Sequence, residues 1–293
     1  MTRPESTSPQ PRVAVIGAGT MGGAMATRLL AAHFEVDLWS RSQSSTSPLV
    51  ELGGLSYADV RDAVAKADVV LSVLPTADVT EEVMLNAEGL ASMREGAVWV
   101  QMGTIGAIAT ANLAERVLDQ RPDVVFIDAP VSGSREPAES GQLLILASGD
   151  SSRAPMLESV FREIGRRTMW LGPVGVGSRL KLILNTWLAF QVEGAAETAS
   201  LTTHLGVNPQ MLLEALHDSP LASPYALAKL QKMLDEDFRP DFSLDWALKD
   251  LELVGVDAGV DTAPISAEIA RRWRHLVESG ASGLDVSAAA MEL

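Results

Sequence analysis

Short apolar runs alternate with longer amphipathic segments through the first 170 or so residues of the chain. The apolar runs predict buried strands at residues 12–16, 35–39, 67–74, 97–102 and 124–128. The intervening pattern predicts helices at residues 22–32, 57–66 and 107–120. Strands that alternate with helices of this length indicate an α/β fold with a doubly wound parallel sheet, as in a Rossmann domain.

The pattern changes after Gly172, where a glycine-rich connector occupies residues 173–177. Residues 178–204 contain no proline and a single glycine, which predicts one helix about 40 Å long. The segments that follow, at 208–217, 223–235, 246–255 and 264–279, also predict helices. We therefore predict a disordered tail at 1–11, a Rossmann domain at 12–175, and an all-α domain at 176–293, joined by the long interdomain helix.

Composition narrows the possible functions. A chain of 293 residues with 47% hydrophobic residues can bury the cores of two domains, and its net charge of −15 disfavours nucleic acid and anionic membranes as partners. No apolar run reaches the roughly 20 residues of a membrane span. The absence of cysteine excludes disulfides and a cysteine nucleophile, and it fits a reducing compartment, so we predict a cytoplasmic protein. The four histidines lack metal-ligand spacing, so we predict no metal site.

A glycine-rich loop directly follows the first predicted strand. Its sequence is Gly17-Ala-Gly19-Thr20-Met21-Gly22, and it opens the first predicted helix. The three glycines permit a tight turn, close approach of a pyrophosphate, and close packing of helix against strand. The helix N-terminus supplies N–H groups and a positive dipole to the phosphates. This context predicts dinucleotide binding, whereas a bare glycine triplet would fit an ordinary surface turn.

The residues after the second predicted strand indicate which dinucleotide is bound. NAD enzymes usually carry a carboxylate there for the ribose 2′-hydroxyl. This chain instead has Ser40, Arg41 and Ser42, which could bind a 2′-phosphate through a guanidinium and two hydroxyls. We therefore predict NADP, used as NADPH, although Arg41 could also be an ordinary solvated loop residue.

Four further segments complete a recognisable set: residues 128–134 (Asp-Ala-Pro-Val-Ser-Gly-Ser), residues 172–177 (Gly-Pro-Val-Gly-Val-Gly), Lys181 with Asn185, and Lys249-Asp250. Together with the glycine loop, they closely resemble the β-hydroxyacid dehydrogenase family over nearly the whole chain. Within that family the chain looks most like the glyoxylate and succinic semialdehyde reductases, chiefly in residues 130–144.

The resemblance implies roles for individual residues. For acid/base catalysis it implies Lys181, with Asn185 as its partner. For substrate binding it implies Ser132, Gly133, Ser134, Phe242 and Asp250. Around the cofactor it implies Leu74, Pro75, Thr104 and Lys249, in addition to the glycine loop.

The residues around Lys181 support the same role independently of any family. Lys181 and Asn185 are four residues apart on a predicted helix, so they share one face. The helix begins where the two predicted domains meet, and pockets favour such places. Burial in an apolar stretch would lower the pKa of this lysine and suit it to proton transfer. The alternative is a surface lysine whose stem covers apolar neighbours.

Some positions depart from the usual pattern of the family. Gly103 stands where a serine commonly precedes the equivalent of Thr104, Leu184 replaces the first of two asparagines, and Ser134 replaces a glycine. Asp245, one turn before Lys249, could oppose an anionic substrate or pair with that lysine. These departures bear on the identity of the substrate more than on the chemistry.

Three functions compete at this stage. The first is NADPH-dependent reduction of a small aldehyde or keto acid, similar to glyoxylate or succinic semialdehyde, to the hydroxy acid. The second is an imine reductase of similar architecture, although those enzymes tend to carry Asp or Tyr where Lys181 stands. The third is an oligomerising scaffold without activity, which the intact lysine and glycine loop disfavour. The apolar long helix also predicts a homo-oligomer, either a dimer or a tetramer.

Overall fold

The computed structural model describes residues 10–293, so the tail predicted at 1–11 lies almost entirely outside the described residues. The strands are β1 (Val13–Ile16), β2 (Val36–Trp39), β3 (Leu55–Ser56), β4 (Val69–Ser72), β5 (Val98–Gln101), β6 (Val125–Asp128), β7 (Val131–Ser132), β8 (Leu143–Ala147) and β9 (Gly165–Trp170). The α-helices are α1 (Thr20–Ala31), α2 (Ser47–Glu51), α3 (Val60–Val64), α4 (Ala77–Glu81), α5 (Gly89–Ser92), α6 (Ala107–Gln120), α7 (Arg135–Glu139), α8 (Leu157–Ile164), α9 (Val176–His204), α10 (Pro209–Leu216), α11 (Pro224–Leu234), α12 (Leu244–Ala258) and α13 (Pro264–Leu276).

The chain divides into two compact units, one ending at Lys181 and the other covering Leu182–Leu293. In the first unit, six strands form a parallel sheet in the order β3-β2-β1-β4-β5-β6. The last residues of five strands are in register, because Ile16 pairs with Trp39 and Ser72, and Gln101 pairs with Ser72 and Asp128. The loops that follow these strands therefore leave the sheet at one edge, where ligands of such sheets bind.

The sheet is stable because both of its faces are covered by apolar side chains. All residues of β1 and β4 are buried, as expected for central parallel strands. One apolar cluster packs α1 and α8 against the first face, and the other packs α3 and α6 against the second. In the second cluster, the buried ring of Trp99 meets Phe126 edge-to-face at 5.1 Å.

A small second sheet, which the apolar pattern did not predict, follows the main one. Its order is β7-β8-β9, with β7 antiparallel and β9 parallel to β8. An antiparallel bridge between Asp128 and Ser148 ties it to the end of β6. Strand β7 has only two residues, and β9 contains two arginines and a threonine, so neither strand has the apolar signal of a buried strand.

The second unit is helical, which confirms the predicted fold class of a Rossmann domain with an all-α domain. Its core surrounds Trp273, which is fully buried, and includes apolar residues of α9, α12 and α13. A buried ion pair joins Lys229 of α11 to Asp285, with Nζ 2.8 Å from Oδ1. Across residues 10–293, no helix is both long and apolar enough to cross a membrane.

Candidate cofactor and substrate site

The glycine loop after β1 has the shape that a dinucleotide requires. Gly17 has a φ of +101°, and a Cβ there would lie 2.4 Å from the carbonyl oxygen of Val73. A Cβ on Gly22 would lie 2.0 Å from the carbonyl oxygen of Gly17, so helix α1 can pack this closely only with glycine. At Gly19, by contrast, a Cβ would meet no atom of residues 10–293 within 4 Å, which leaves open space above the loop.

The N-terminus of α1 suits a pyrophosphate for a second reason. Its first turn contains Thr20 and Met21 but no acidic residue, and none of the described side chains caps it. The first N–H groups of the helix and its positive dipole therefore face no competing carboxylate on this helix. The residues present fit the phosphate groups of a nicotinamide dinucleotide.

The loop after β2 lies beside the glycine loop, because Gly17 N donates to the carbonyl oxygen of Trp39 at 2.8 Å. Arg41 in this loop is exposed, and its guanidinium forms no hydrogen bond or ion pair with residues 10–293. Ser42 donates to or accepts from Ser44 at 2.8 Å. The nearest carboxylate of the strand, Asp37, is buried and held by two guanidinium nitrogens of Arg12 at 2.6 and 2.7 Å. Arg41 is therefore available to an anion, and Asp37 is not available to a ribose.

The loops after β4 and β5 close on each other at the same edge. A Cβ on Gly103 would lie 2.2 Å from the carbonyl oxygen of Leu74, so this contact requires glycine. Gln101 donates to the carbonyl oxygen of Gly103 at 3.0 Å and accepts from buried Ser72 at 2.7 Å. These bonds hold the loop that carries Thr104 against Leu74 and the exposed Pro75. Gly103 stands where the family commonly has serine, and in this chain the close contact with Leu74 leaves no room for a side chain.

The segment predicted to bind substrate connects β7 to α7. Ser132 ends β7, and Ser134 precedes the first residue of α7 with an extended backbone. Between them Gly133 has a φ of +135°, and a Cβ there would lie 2.8 Å from the side chain of Leu143. Both serines are half-buried, so their hydroxyls and the neighbouring N–H groups can reach a small ligand.

A buried polar cluster fixes the beginning of α9. Asp128, at the end of β6, accepts from Ser178 N at 2.9 Å and Oγ at 2.8 Å, and from Ser148 Oγ at 2.9 Å. Ser148 Oγ in turn accepts from Gly177 N at 3.1 Å, and Ser178 shares a 3.0 Å hydroxyl contact with Thr110. Two N–H groups of the first helical turn are thereby satisfied, and a carboxylate lies at the positive end of the helix.

This cluster lies just ahead of the predicted catalytic lysine. Lys181 follows Ser178 by three residues on α9, and its side chain is half-buried. Burial raises the pKa of Asp128, although the hydrogen bonds from Ser178 and Ser148 oppose that rise. The sequence pattern marked Asp128 only as the first residue of a motif, without a role.

In the helical unit, the predicted residues converge on Asp250. Its carboxylate is buried and accepts a short hydrogen bond from the amide of Asn185 at Oδ2. Its Oδ1 lies 2.9 Å from Nζ of Lys249, and that ammonium lies 5.7 Å from the ring centroid of Trp246. Asp245 instead accepts from Gly283 N at 3.4 Å. The structure therefore brings Asn185, Lys249 and Asp250 together.

Phe242 precedes α12 in a segment that the buried Lys229–Asp285 pair holds. Asp285 Oδ2 accepts from the backbone N–H groups of Asp241 at 2.9 Å and Phe242 at 3.3 Å. The carbonyl oxygen of Phe242 accepts from Val286 N at 2.8 Å. Neither Lys229 nor Asp285 was singled out from the sequence. Only the apolar neighbours of Lys229 in α11 could have signalled the pair.

Comparison with known families matches both parts of the chain. Residues 12–172 match the family described as the NAD binding domain of 6-phosphogluconate dehydrogenase. Residues 175–293 match the family described as NAD-binding of NADP-dependent 3-hydroxyisobutyrate dehydrogenase.

Individual proteins resemble this chain over nearly its full length. Glyoxylate/succinic semialdehyde reductase 1 of Arabidopsis thaliana is 29% identical over 94% of this chain and 96% of its own. A structure of 3-hydroxyisobutyrate dehydrogenase from Mycobacterium tuberculosis with L-serine has a TM-score of 0.86 and 25% identity, covering 96% of this chain and 98% of that one. An imine reductase structure from Aspergillus terreus shares the fold at a TM-score of 0.64 and 21% identity, covering 96% and 99%.

Proposed function

The chain belongs to the β-hydroxyacid dehydrogenase family of NAD(P)-binding oxidoreductases, and we propose that it reduces a small aldehyde or keto acid to the hydroxy acid with NADPH. The observation that carries this proposal is the placement of Lys181 and Asn185 on α9. The helix is anchored one turn before the lysine by Asp128, and Asn185 is held by Asp250. The similarity to a reductase of glyoxylate and succinic semialdehyde supports carbonyl compounds of that size and charge as substrates.

In the proposed mechanism, the proton comes from the protein. NADPH, when bound, supplies the hydride to the carbonyl carbon. Lys181 donates a proton to the carbonyl oxygen as negative charge develops there. Asn185 orients the reacting group, and its own amide is fixed by the carboxylate of Asp250. Asp250 is then a positioning residue, which acts by holding Asn185 and Lys249.

The groups proposed to hold the substrate are the hydroxyls and backbone of Ser132, Gly133 and Ser134. Their half-buried position and the sharp turn at Gly133 support this role. The substrate would also contact Phe242, and Thr104 and Lys249 would border the nicotinamide, as in the family.

The preference for NADPH over NADH is proposed from the loop after β2. An exposed arginine without an ion-pair partner in residues 10–293, flanked by Ser40 and Ser42, can bind a 2′-phosphate. The only carboxylate of that strand, Asp37, is committed to Arg12. Both observations support NADP as the cofactor.

We also propose that the protein is a homo-oligomer, a dimer or tetramer, in the cytoplasm. The helical unit exposes many large apolar side chains, among them Ile183 and Trp187 of α9 and Leu205 and Leu221 near α10. Exposed apolar residues in such number support association with another copy. The cysteine-free composition supports a reducing compartment.

The decisive experiment is steady-state NADPH oxidation with glyoxylate and succinic semialdehyde, comparing the wild type with Lys181→Met. Loss of a proton donor should lower kcat and kcat/KM together by about 10²–10⁴-fold and leave NADPH affinity unchanged. Arg179→Met is the matched control, because it removes an exposed cation two residues earlier on α9. A Lys181→Met variant that raises KM and keeps the wild-type kcat would contradict the proposal.

An imine reductase is the second candidate, and the shared fold with the Aspergillus terreus enzyme favours it. The same assay with a cyclic imine separates the two. We expect turnover of the carbonyl substrates and little of the imine, because we propose Lys181 as the proton donor and imine reductases tend to carry Asp or Tyr at that position. Faster reduction of the imine than of any small carbonyl compound would favour the second candidate.

A further inference from the structure

An irregularity in β9 places two arginines side by side. In the pairing with β8, Gly165 lies opposite Leu143 and Arg167 opposite Leu144, so Arg166 is an extra residue in the strand. A bulge of this kind interrupts the alternation of side chains between the two faces of a sheet. As a result Arg166 and Arg167, although adjacent in sequence, both line the same cavity.

The two guanidiniums form no hydrogen bond or ion pair with any part of the chain that the structure describes. The third arginine of the cavity, Arg162, is different, because Nη2 lies 2.7 Å from Glu158 on the same helix. The cavity lining also contains the carboxylate of Glu158, which Arg162 neutralises, so the exposed Arg166 and Arg167 give the cavity an excess of positive charge. The charge is also unusual for this chain, whose net charge is −15.

The remaining walls of the cavity suit an organic ligand. The cavity has a volume of about 460 Å³, and it is lined by the hydroxyl residues Ser151 and Thr168 and by Trp170. The indole of Trp170 is 41% exposed, and its ring centroid lies 6.3 Å from that of Phe161, which also lines the cavity. A tryptophan held in this way offers a flat surface for stacking, and the volume matches that of small-molecule sites.

We propose that this cavity, formed by the β9 bulge and α8, binds a nucleoside phosphate. Arg166 and Arg167 would hold the phosphate, because paired guanidiniums match the geometry and charge of its oxygens. The base would stack on Trp170. The site shares no residue with the glycine loop or the Arg41 loop, so it is separate from the dinucleotide site.

The test is calorimetric titration of the full-length protein with ADP after addition of one molar equivalent of NADPH per chain, which fills the dinucleotide site and leaves the second site for ADP. The wild type should bind one ADP per chain under these conditions. Arg166→Gln/Arg167→Gln should weaken that binding by about tenfold or more. Trp170→Leu should weaken ADP binding but leave the affinity for inorganic phosphate unchanged, since phosphate has no ring to stack.

The matched control is Arg61→Gln/Arg271→Gln, which removes the same charge from exposed positions outside the cavity and should bind ADP as the wild type does. Unchanged melting temperatures would show that the variants are folded. The proposal is overturned if the wild type with NADPH bound binds no ADP. It is also overturned if the Arg166/Arg167 double variant and the control double variant bind ADP equally well. If Trp170→Leu lost ADP binding and phosphate binding equally, the site would bind a free anion, and the proposed stacking of a nucleoside base on Trp170 would be wrong.

Discussion

Removal of the Asp128 carboxylate is the perturbation whose effect the structure defines best. Its oxygens accept three hydrogen bonds, two from Ser178 and one from Ser148, and the residue is fully buried. In Asp128→Ala, the backbone N–H of Ser178 loses its acceptor inside the protein. The two serine hydroxyls can rotate, because Ser148 has the carbonyl oxygen of Asp128 at 3.4 Å and Ser178 has Thr110 at 3.0 Å.

The size of the effect follows from these contacts. An orphaned buried N–H costs about 1–3 kcal/mol, which agrees with the roughly 0.5–2 kcal/mol measured for loss of a helix N-cap. Relief of a buried negative charge offsets part of the loss of the three hydrogen bonds, so we expect Asp128→Ala to lower the free energy of unfolding by about 2 kcal/mol. Asp128→Asn should lose about 1 kcal/mol, because Oδ1 still accepts from Ser178 N and the amide can donate to Ser178 Oγ.

The measurement is urea unfolding followed by the far-ultraviolet signal, alongside the kcat of both variants. Asp150→Ala is the matched control, since Asp150 caps Ser152 N at 3.0 Å in an exposed turn of the same unit. If Asp128→Ala were no less stable than Asp150→Ala, the argument that Asp128 anchors α9 would be wrong. We further expect kcat to decrease from the wild type to Asp128→Asn and again to Asp128→Ala, because Lys181 lies one helical turn beyond Ser178, which Asp128 holds.

The pH dependence gives a second test of the same residue. Burial raises the pKa of Asp128, so the folded state binds a proton over a pH range in which the unfolded state has already released it. Stability therefore decreases as the pH rises through that range, and Asp128→Asn lacks this contribution. The free energy of unfolding of the wild type should exceed that of Asp128→Asn most at acidic pH, and this difference should shrink toward neutral pH. A difference that grew with pH would refute the assigned direction.

Three further predictions concern the rest of the molecule. Arg41→Ala should weaken NADPH binding by about tenfold and leave NADH binding unchanged, measured by fluorescence titration; equal affinity of the wild type for both would contradict it. Light scattering should give a mass at least twice 31.1 kDa, and a monomeric mass at micromolar concentration would refute the oligomer. Lys229→Met should lower the unfolding free energy by about 3–5 kcal/mol, because it leaves the Asp285 charge buried without its partner. Lys232→Met, whose Nζ lies 3.8 Å from that carboxylate, should lose far less; equal losses would show that the close pair is unimportant.

The parts of the fold that the sequence predicted are those with a strong local signal. The central strands are continuous apolar runs, and the loop with Gly17 and Gly22 has a spacing that only close packing of backbone explains. Strand β9 was missed because its residues are mostly polar and its pairing with β8 contains a bulge. Its stability comes from contacts with α8 and β8, and such tertiary contacts override local propensity.

The polar contacts of the candidate site could not be predicted for a different reason. The spacing of Lys181 and Asn185 on one helix is visible in the sequence, because it is a property of the helix. The acceptors that fix this helix are distant along the chain: Asp128 lies 50 residues before Ser178, and Asp250 lies 65 residues after Asn185. No periodicity in a single sequence pairs residues so far apart.

This difference changes how Asp250 is understood. The resemblance to the family implies that it is a substrate-binding residue. In the structure its oxygens contact the amide of Asn185 and the ammonium of Lys249, and the carboxylate is buried. The carboxylate is buried and would repel an anionic substrate if these two neighbours were removed, so we infer that it positions them and does not itself contact the substrate. Its contribution to the proposed reaction is therefore to hold Asn185 and Lys249 in place, so loss of this one carboxylate would release both side chains.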